Sequence, residues 1–180
     1  MLSARSFAPA APLARRAALV LAGSALLAIS AQLAVPLWPV PITLQTLAIP
    51  VLVALLGRGL ATAAVLAYLA EAAAGLPVLQ GFAGGVAAFA GPSGGYLAGF
   101  PFAAWLIGAL YENGWGDGYA RRLTAVFLGT GIVFASGALW LAFGLQLGIV
   151  RALAAGVIPF LIGDVAKCLI AAAITPRRTP

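Results

Sequence analysis

The segment IPFLIGDVAKCLIAAAIT, residues 158 to 175, is oily apart from Asp164 and Lys167. A spacing of three puts both side chains on one face of a helix, next to each other. A carboxylate only accepts hydrogen bonds and an ammonium only donates them. The pair therefore suits a small neutral group carrying both N–H and C=O, as a cyclic urea or amide does. A ligand carboxylate on Lys167 is the competing assignment. A third is an ion pair with no ligand, or a Lys167 that snorkels its charge out along the helix. Apolar residues often replace buried ion pairs without loss of stability, which weighs against a purely structural purpose. If the helix starts near Pro159, a favoured first-turn residue, a rise of about 1.5 Å per residue sets the pair roughly 8 to 12 Å inside its end.

The elements around this pair must be membrane helices. Of 180 residues, 63% are hydrophobic and 8% charged, with a mean hydropathy of +1.09, against about 25% charged residues in soluble domains. Residues 17 to 57 and 72 to 111 contain no Asp, Glu, Lys or Arg, and about 20 apolar residues cross a bilayer. No polar stretch is long enough for an attached soluble enzyme. The net charge of +6 comes from arginines flanking apolar segments, so it reads as membrane orientation and not as nucleic-acid binding. One cysteine, Cys168, and no histidine exclude an intrachain disulfide and remove the usual metal ligands. Arg15 and Arg16 before AALVLAGSALLAIS resemble a secretory signal, but the apolar stretch runs on to Val35 and more spans follow, so a retained first helix is expected.

Proline, glycine and charge divide the chain into six apolar segments, about 17 to 35, 43 to 57, 60 to 75, 95 to 111, 123 to 147 and 157 to 175. The expected fold class is all-α, a polytopic integral membrane protein of six transmembrane helices spanning 17 to 175, with segments 1–16 and 176–180 outside the bilayer. Backbone groups in hydrocarbon must bond internally, and the runs lack the alternation of a membrane barrel. Arg5, Arg15, Arg16, Arg58, Arg121, Arg122, Arg177 and Arg178 fall on one side and Arg151 on the other, which places both termini in the cytoplasm. Two outer linkers, PLWPVPITLQT and GLPVLQGFAGGVAAFAGPSGG, are uncharged and carry Trp38, Phe82 and Phe89. Such loops are expected to fold back and roof a ligand pocket; aromatic anchoring among headgroups is the plainer alternative.

Few other polar groups are available to such a pocket. Thr43, Gln45 and Thr46 stand where the first outer linker enters the second helix. Thr43 suits a helix cap, and Gln45, inside an apolar run, needs a partner. Gln80, Phe82 and Tyr96 offer an amide, a stacking face and a phenol. Glu71 falls toward the outer end of the third segment, where headgroup solvation accounts for it. GPSGG is no phosphate loop, since no Gly-Lys-Ser/Thr follows it, so ATP-driven uptake would need a partner. Ala14, Ala18 and Ala22 recur every four residues, a spacing that lets membrane helices approach closely.

Taken in order, VPITLQTLAIPV, GLPVLQGFAGG, GPSGGYLAGFP and PFLIGDVAKCLIAA resemble the BioY family, the biotin-binding substrate (S) component of energy-coupling-factor transporters. The likeness extends from about residue 17 to 174. It implies biotin transport across the cytoplasmic membrane of a bacterium, with biotin as the transported ligand and no cofactor or covalent chemistry. It also implies a transmembrane coupling protein and two cytoplasmic ATPases as partners, with assembly of the chain on itself left open. On this resemblance Asp164 and Lys167 match the biotin-contacting motif, Thr43 and Gln45 fall in the lid over the ligand, and Phe82 and Tyr96 lie in the second loop region. Ala18 and Ala22 match an Ala-x-x-x-Ala docking motif. An S component for another vitamin, a membrane acid–base enzyme and a structural protein are the alternatives.

Overall fold

The structure is a computed structural model, and it describes residues 12–175. Most of the expected N-terminal segment, the 176–180 tail and Arg5, Arg177 and Arg178 lie outside the described residues. Among those described, five helical stretches are long and apolar enough to cross a membrane. The first helix, α1 (Leu13–Gln32), is rich in alanine and leucine, the strongest helix formers. It begins four positions ahead of the expected start, so Arg15 and Arg16 sit on its exposed first turn.

The chain then forms a short hairpin, a departure from the all-α expectation. β1 (Ala34–Val35) pairs antiparallel with β2 (Ile42–Thr43), with Ala34 opposite Thr43. Pro36, Pro39 and Pro41 lie between the strands, where prolines, which donate nothing to a ladder, are confined to the turn. The hairpin is tied back to the bundle by the Leu44 amide, which donates to the carbonyls of Ser30 and Leu33 at 3.3 and 3.1 Å.

The next element, α2 (Gln45–Ala73), has 29 residues and covers both segments expected at 43 to 57 and 60 to 75. It is interrupted at Gly57, whose φ of 80° and ψ of 169° belong to a region that only glycine enters without strain. The consequence is a reversal of direction. Gln45 Nε2 donates to the Tyr68 hydroxyl at 2.8 Å, although a straight helix would hold residues 23 apart at about 35 Å. The two arms, 45–56 and 58–73, therefore run back along each other, and Arg58 sits at the turn.

Further on come α3 (Gly94–Leu110), extended by a π-helical turn Tyr111–Trp115, and α4 (Tyr119–Leu139), extended likewise through Trp140–Gly144. The span expected as a single helix from 157 is built in pieces. A short α5 (Ile149–Gly156) leads through a 3₁₀ turn at Ile158–Phe160 into α6 (Leu161–Ile174). Pro159 occupies that turn, as its fixed φ and missing N–H favour at a helix start.

The core runs along α2, which packs on α1, α3 and α6, while α4 packs on α3, α5 and α6. Tyr68, Leu27, Ile49, Ile107 and Leu141 are its largest fully buried side chains. Gly137 of α4 lets the Tyr96 ring lie directly on the helix backbone, since a Cβ there would overlap the ring. At the end opposite the hairpin, Arg58 pairs with Glu112 at 3.0 Å and lies over the Trp105 ring. Beside it the buried Arg122 donates to the carbonyls of Ala172 and Gly116 at 2.9 and 3.0 Å. Arg122 thus satisfies one of the orphan carbonyls at the end of α6 with a favourably placed positive charge.

Candidate ligand site

Asp164 stands in the first turn of α6, where the positive end of the helix macrodipole favours a carboxylate. It is 4% exposed and Lys167 8%. Lys167 Nζ lies 3.3 Å from Asp164 Oδ1. The pair does not stop at each other. Lys167 also donates to the Thr43 carbonyl at 2.7 Å and to Thr46 Oγ1 at 3.3 Å, while Thr46 Oγ1 donates to Asp164 Oδ1 at 2.5 Å. All three ammonium protons therefore have protein acceptors. Among the described residues Asp164 Oδ2 receives no donor.

A second set of contacts continues from the same place. Thr43 Oγ1 donates to Gln45 Oε1 at 3.2 Å, and Gln45 Nε2 to Tyr68 at 2.8 Å. The polar chain Asp164–Lys167–Thr43–Gln45–Tyr68 thereby joins α6, the hairpin and both arms of α2. It answers the need of the buried Gln45 for a partner. The partner, Tyr68, is recognisable only once the reversal at Gly57 is known.

These residues form one wall of a cavity of about 250 Å³. The facing wall is aromatic and aliphatic. Tyr96 stacks on Phe160 with centroids 6.3 Å apart, and Phe134 meets both edge-on. The Tyr96 hydroxyl donates to the Gly156 carbonyl at 2.6 Å, fixing the ring. Over the cavity lie Val40 and Pro41 of the hairpin and Leu79, Gln80 and Ala83 of the second linker. Two tethers hold that linker down: Gln32 bonds the Leu79 carbonyl and the Phe82 amide, and Trp140 Nε1 donates to the Gly91 carbonyl at 2.9 Å.

The structure thus brings Thr43, Gln45, Tyr96, Asp164 and Lys167 to one cavity. Phe82 is placed elsewhere. Its φ of 59° is left-handed, its side chain is 71% exposed, and it is not among the cavity-lining residues. Its backbone amide, held by Gln32, turns the ring outward. Glu71 also departs from the headgroup reading, because its carboxylate accepts a hydrogen bond from Ser24 of α1 within the helix pair. Ala14, Ala18 and Ala22 form an exposed face of α1. Tyr68, Phe134 and Phe160 line the cavity without having been marked as ligand candidates, since apolar context alone does not separate a pocket aromatic from a core one.

Fold and geometry together define a multi-pass helical membrane protein with a cavity at one end of its bundle, apolar on one side and closed on the other by a buried ion pair. The chain belongs to the BioY family, whose model matches residues 3–180. It is 38% identical to the biotin transporter BioY of Thermotoga maritima over 86% of this chain and 89% of that protein. It is 35% identical to the probable biotin transporter BioY of Pyrococcus horikoshii, over 91% and 96% of the two chains. Its fold is similar to the crystal structure of the S-component for biotin from an ECF-type ABC transporter, with a TM-score of 0.82 and 34% identity over 90% of this chain and 89% of that one.

Proposed function

We propose that this protein binds biotin from outside the cell and serves as the substrate component of an energy-coupling-factor transporter. One observation carries the ligand reading: an ion pair at the cavity wall whose Asp164 Oδ2 has no partner among the described residues. Biotin's ureido ring supplies an N–H for that oxygen. Its carbonyl would replace one of the two longer Lys167 contacts, since the third is a short bond to Thr43. The apolar thiophane ring and valeryl chain fit the side of Tyr96, Phe134 and Phe160, and the carboxylate stays nearer water, where less desolvation is required. Thr43 acts from the hairpin, and Gln45 from the first residue of α2.

Counting the two arms of α2 separately, the chain crosses the bilayer six times. The arginine-rich end, with Arg15, Arg16, Arg58, Arg121 and Arg122, faces the cytoplasm under the positive-inside rule, so both termini are cytoplasmic and the cavity opens outward. The chain makes no covalent change and needs no cofactor. A transmembrane coupling protein would dock on the Ala18 and Ala22 face of α1, where small residues permit close helix approach, and two cytoplasmic ATPases would drive release.

The deciding experiment is equilibrium binding of radiolabelled biotin to the purified protein, with riboflavin and thiamine as competitors. Saturable binding displaced by unlabelled biotin alone is expected. Displacement by another vitamin, or no saturable binding, overturns the proposal. Crosslinking from Ala18 that captures no coupling protein in cells that produce one would remove the docking assignment.

A further inference from the structure

We infer that Thr46 is a positioning residue of this site, whose hydroxyl holds Asp164 Oδ1 inside the protein and so presents Oδ2 to the ligand. The inference rests on reading the cavity as a biotin site, and it concerns how the carboxylate is aimed.

Three hydroxyls on the helices of this protein bond back to their own helix. Thr124 Oγ1 donates to the Ala120 carbonyl at 2.9 Å, Ser136 to Ile132 at 2.9 Å, and Ser30 to Leu27 at 2.8 Å. Such back-bonding is the local alternative open to Ser and Thr in helices. Thr46, like Ser24 toward Glu71, reaches across to another helix. As the second residue of α2 it has no preceding helical turn, and the carbonyl three residues back, on Thr43, already receives Lys167 Nζ at 2.7 Å. Its single proton is free to go across to α6.

That proton goes to Asp164 Oδ1 at 2.5 Å, and the same oxygen of Thr46 accepts from Lys167 at 3.3 Å. A hydroxyl has one proton to give, so Thr46 cannot also donate to a ligand. Oδ1 receives two protein donors, Thr46 and Lys167, and Oδ2 receives none from the described residues. Thr46 therefore sets the rotation of the carboxylate. Lys167 alone would not, because an ammonium on a flexible stem can follow either oxygen.

The test has two readouts on purified, detergent-solubilised protein. The chain has only four Asp and Glu residues, so subtracting the infrared spectrum of Asp164→Asn isolates the Asp164 carboxylate bands. Thr46→Val and Thr46→Ala should shift those bands, and Thr46→Ser should leave them in place. In parallel, Thr46→Val should weaken biotin binding about tenfold, the scale of one hydrogen bond to a charged group, while Thr46→Ser restores it. Unshifted bands in both hydroxyl-free variants, or a serine variant as weak as valine, sink the inference even where wild-type protein binds biotin. A wild type that binds no biotin instead sinks the ligand reading, and the inference with it.

Discussion

Lys167 Nζ donates to the backbone carbonyl of Thr43 at 2.7 Å, a bond between residues 124 positions apart. It fastens the base of the hairpin to α6 and passes directly beside the cavity. The charge that lines the cavity also holds the hairpin over it.

That dual role predicts an asymmetry within the pair. Lys167→Ala frees the hairpin and leaves Asp164 buried without a counter-charge, a change that typically costs about 3–5 kcal/mol. Biotin binding should fall more than a hundredfold, and the unliganded protein should unfold at lower temperature. Asp164→Asn keeps the shape and loses a charge-assisted hydrogen bond of about 1.5–3 kcal/mol, so affinity should drop at least tenfold. Measured affinities near wild type in both variants would remove the pair from the site.

Gln45 and Tyr68 make a second long-range contact, in full burial. Tyr68→Phe leaves the Gln45 amide without an acceptor, at a cost of about 1–3 kcal/mol. Denaturation of the solubilised protein without biotin should show that loss. An unchanged midpoint would mean that the two arms do not meet there.

Phe82 and Tyr96 separate the second loop into a part that touches the cavity and a part that does not. Phe82→Ala should change biotin affinity by less than about twofold, the scatter expected of a surface substitution. Tyr96→Phe removes the bond to the Gly156 carbonyl and lets the ring that backs Phe160 move, so binding should weaken severalfold. A larger effect at Phe82 than at Tyr96 would contradict this placement.

Gly57 is the backbone on which the site depends. Gly57→Ala forces a Cβ into a conformation essentially reserved for glycine, at about 1–3 kcal/mol. Thermal stability and biotin binding should fall together, because the turn aligns Gln45 with Tyr68. Gly59→Ala, where a Cβ would meet nothing within 4 Å, serves as the control and should leave both unchanged.

Several of these relationships were readable in the chain and several were not. The spacing of Asp164 and Lys167 is a local property, so their shared face follows from helix geometry alone. Glu71 is the opposite case, because its partner Ser24 lies on another helix 47 positions away. Phe82 is a third kind. Its aromatic character suggested a stacking face, but its direction was decided by a left-handed backbone and by Gln32 reaching over from α1.

By itself the sequence determined a helical membrane protein, an asymmetric distribution of arginines, and an ion pair in its last apolar segment. Those are consequences of composition and short-range periodicity working against a lipid solvent. Only the tertiary structure decided that Thr46 stands between the two charges, that Tyr68 completes the polar wall, and that Phe82 looks away from the cavity. Such meetings depend on where the chain reverses, at Gly57 and in the proline hairpin, and a turn of one residue's backbone moves every side chain beyond it.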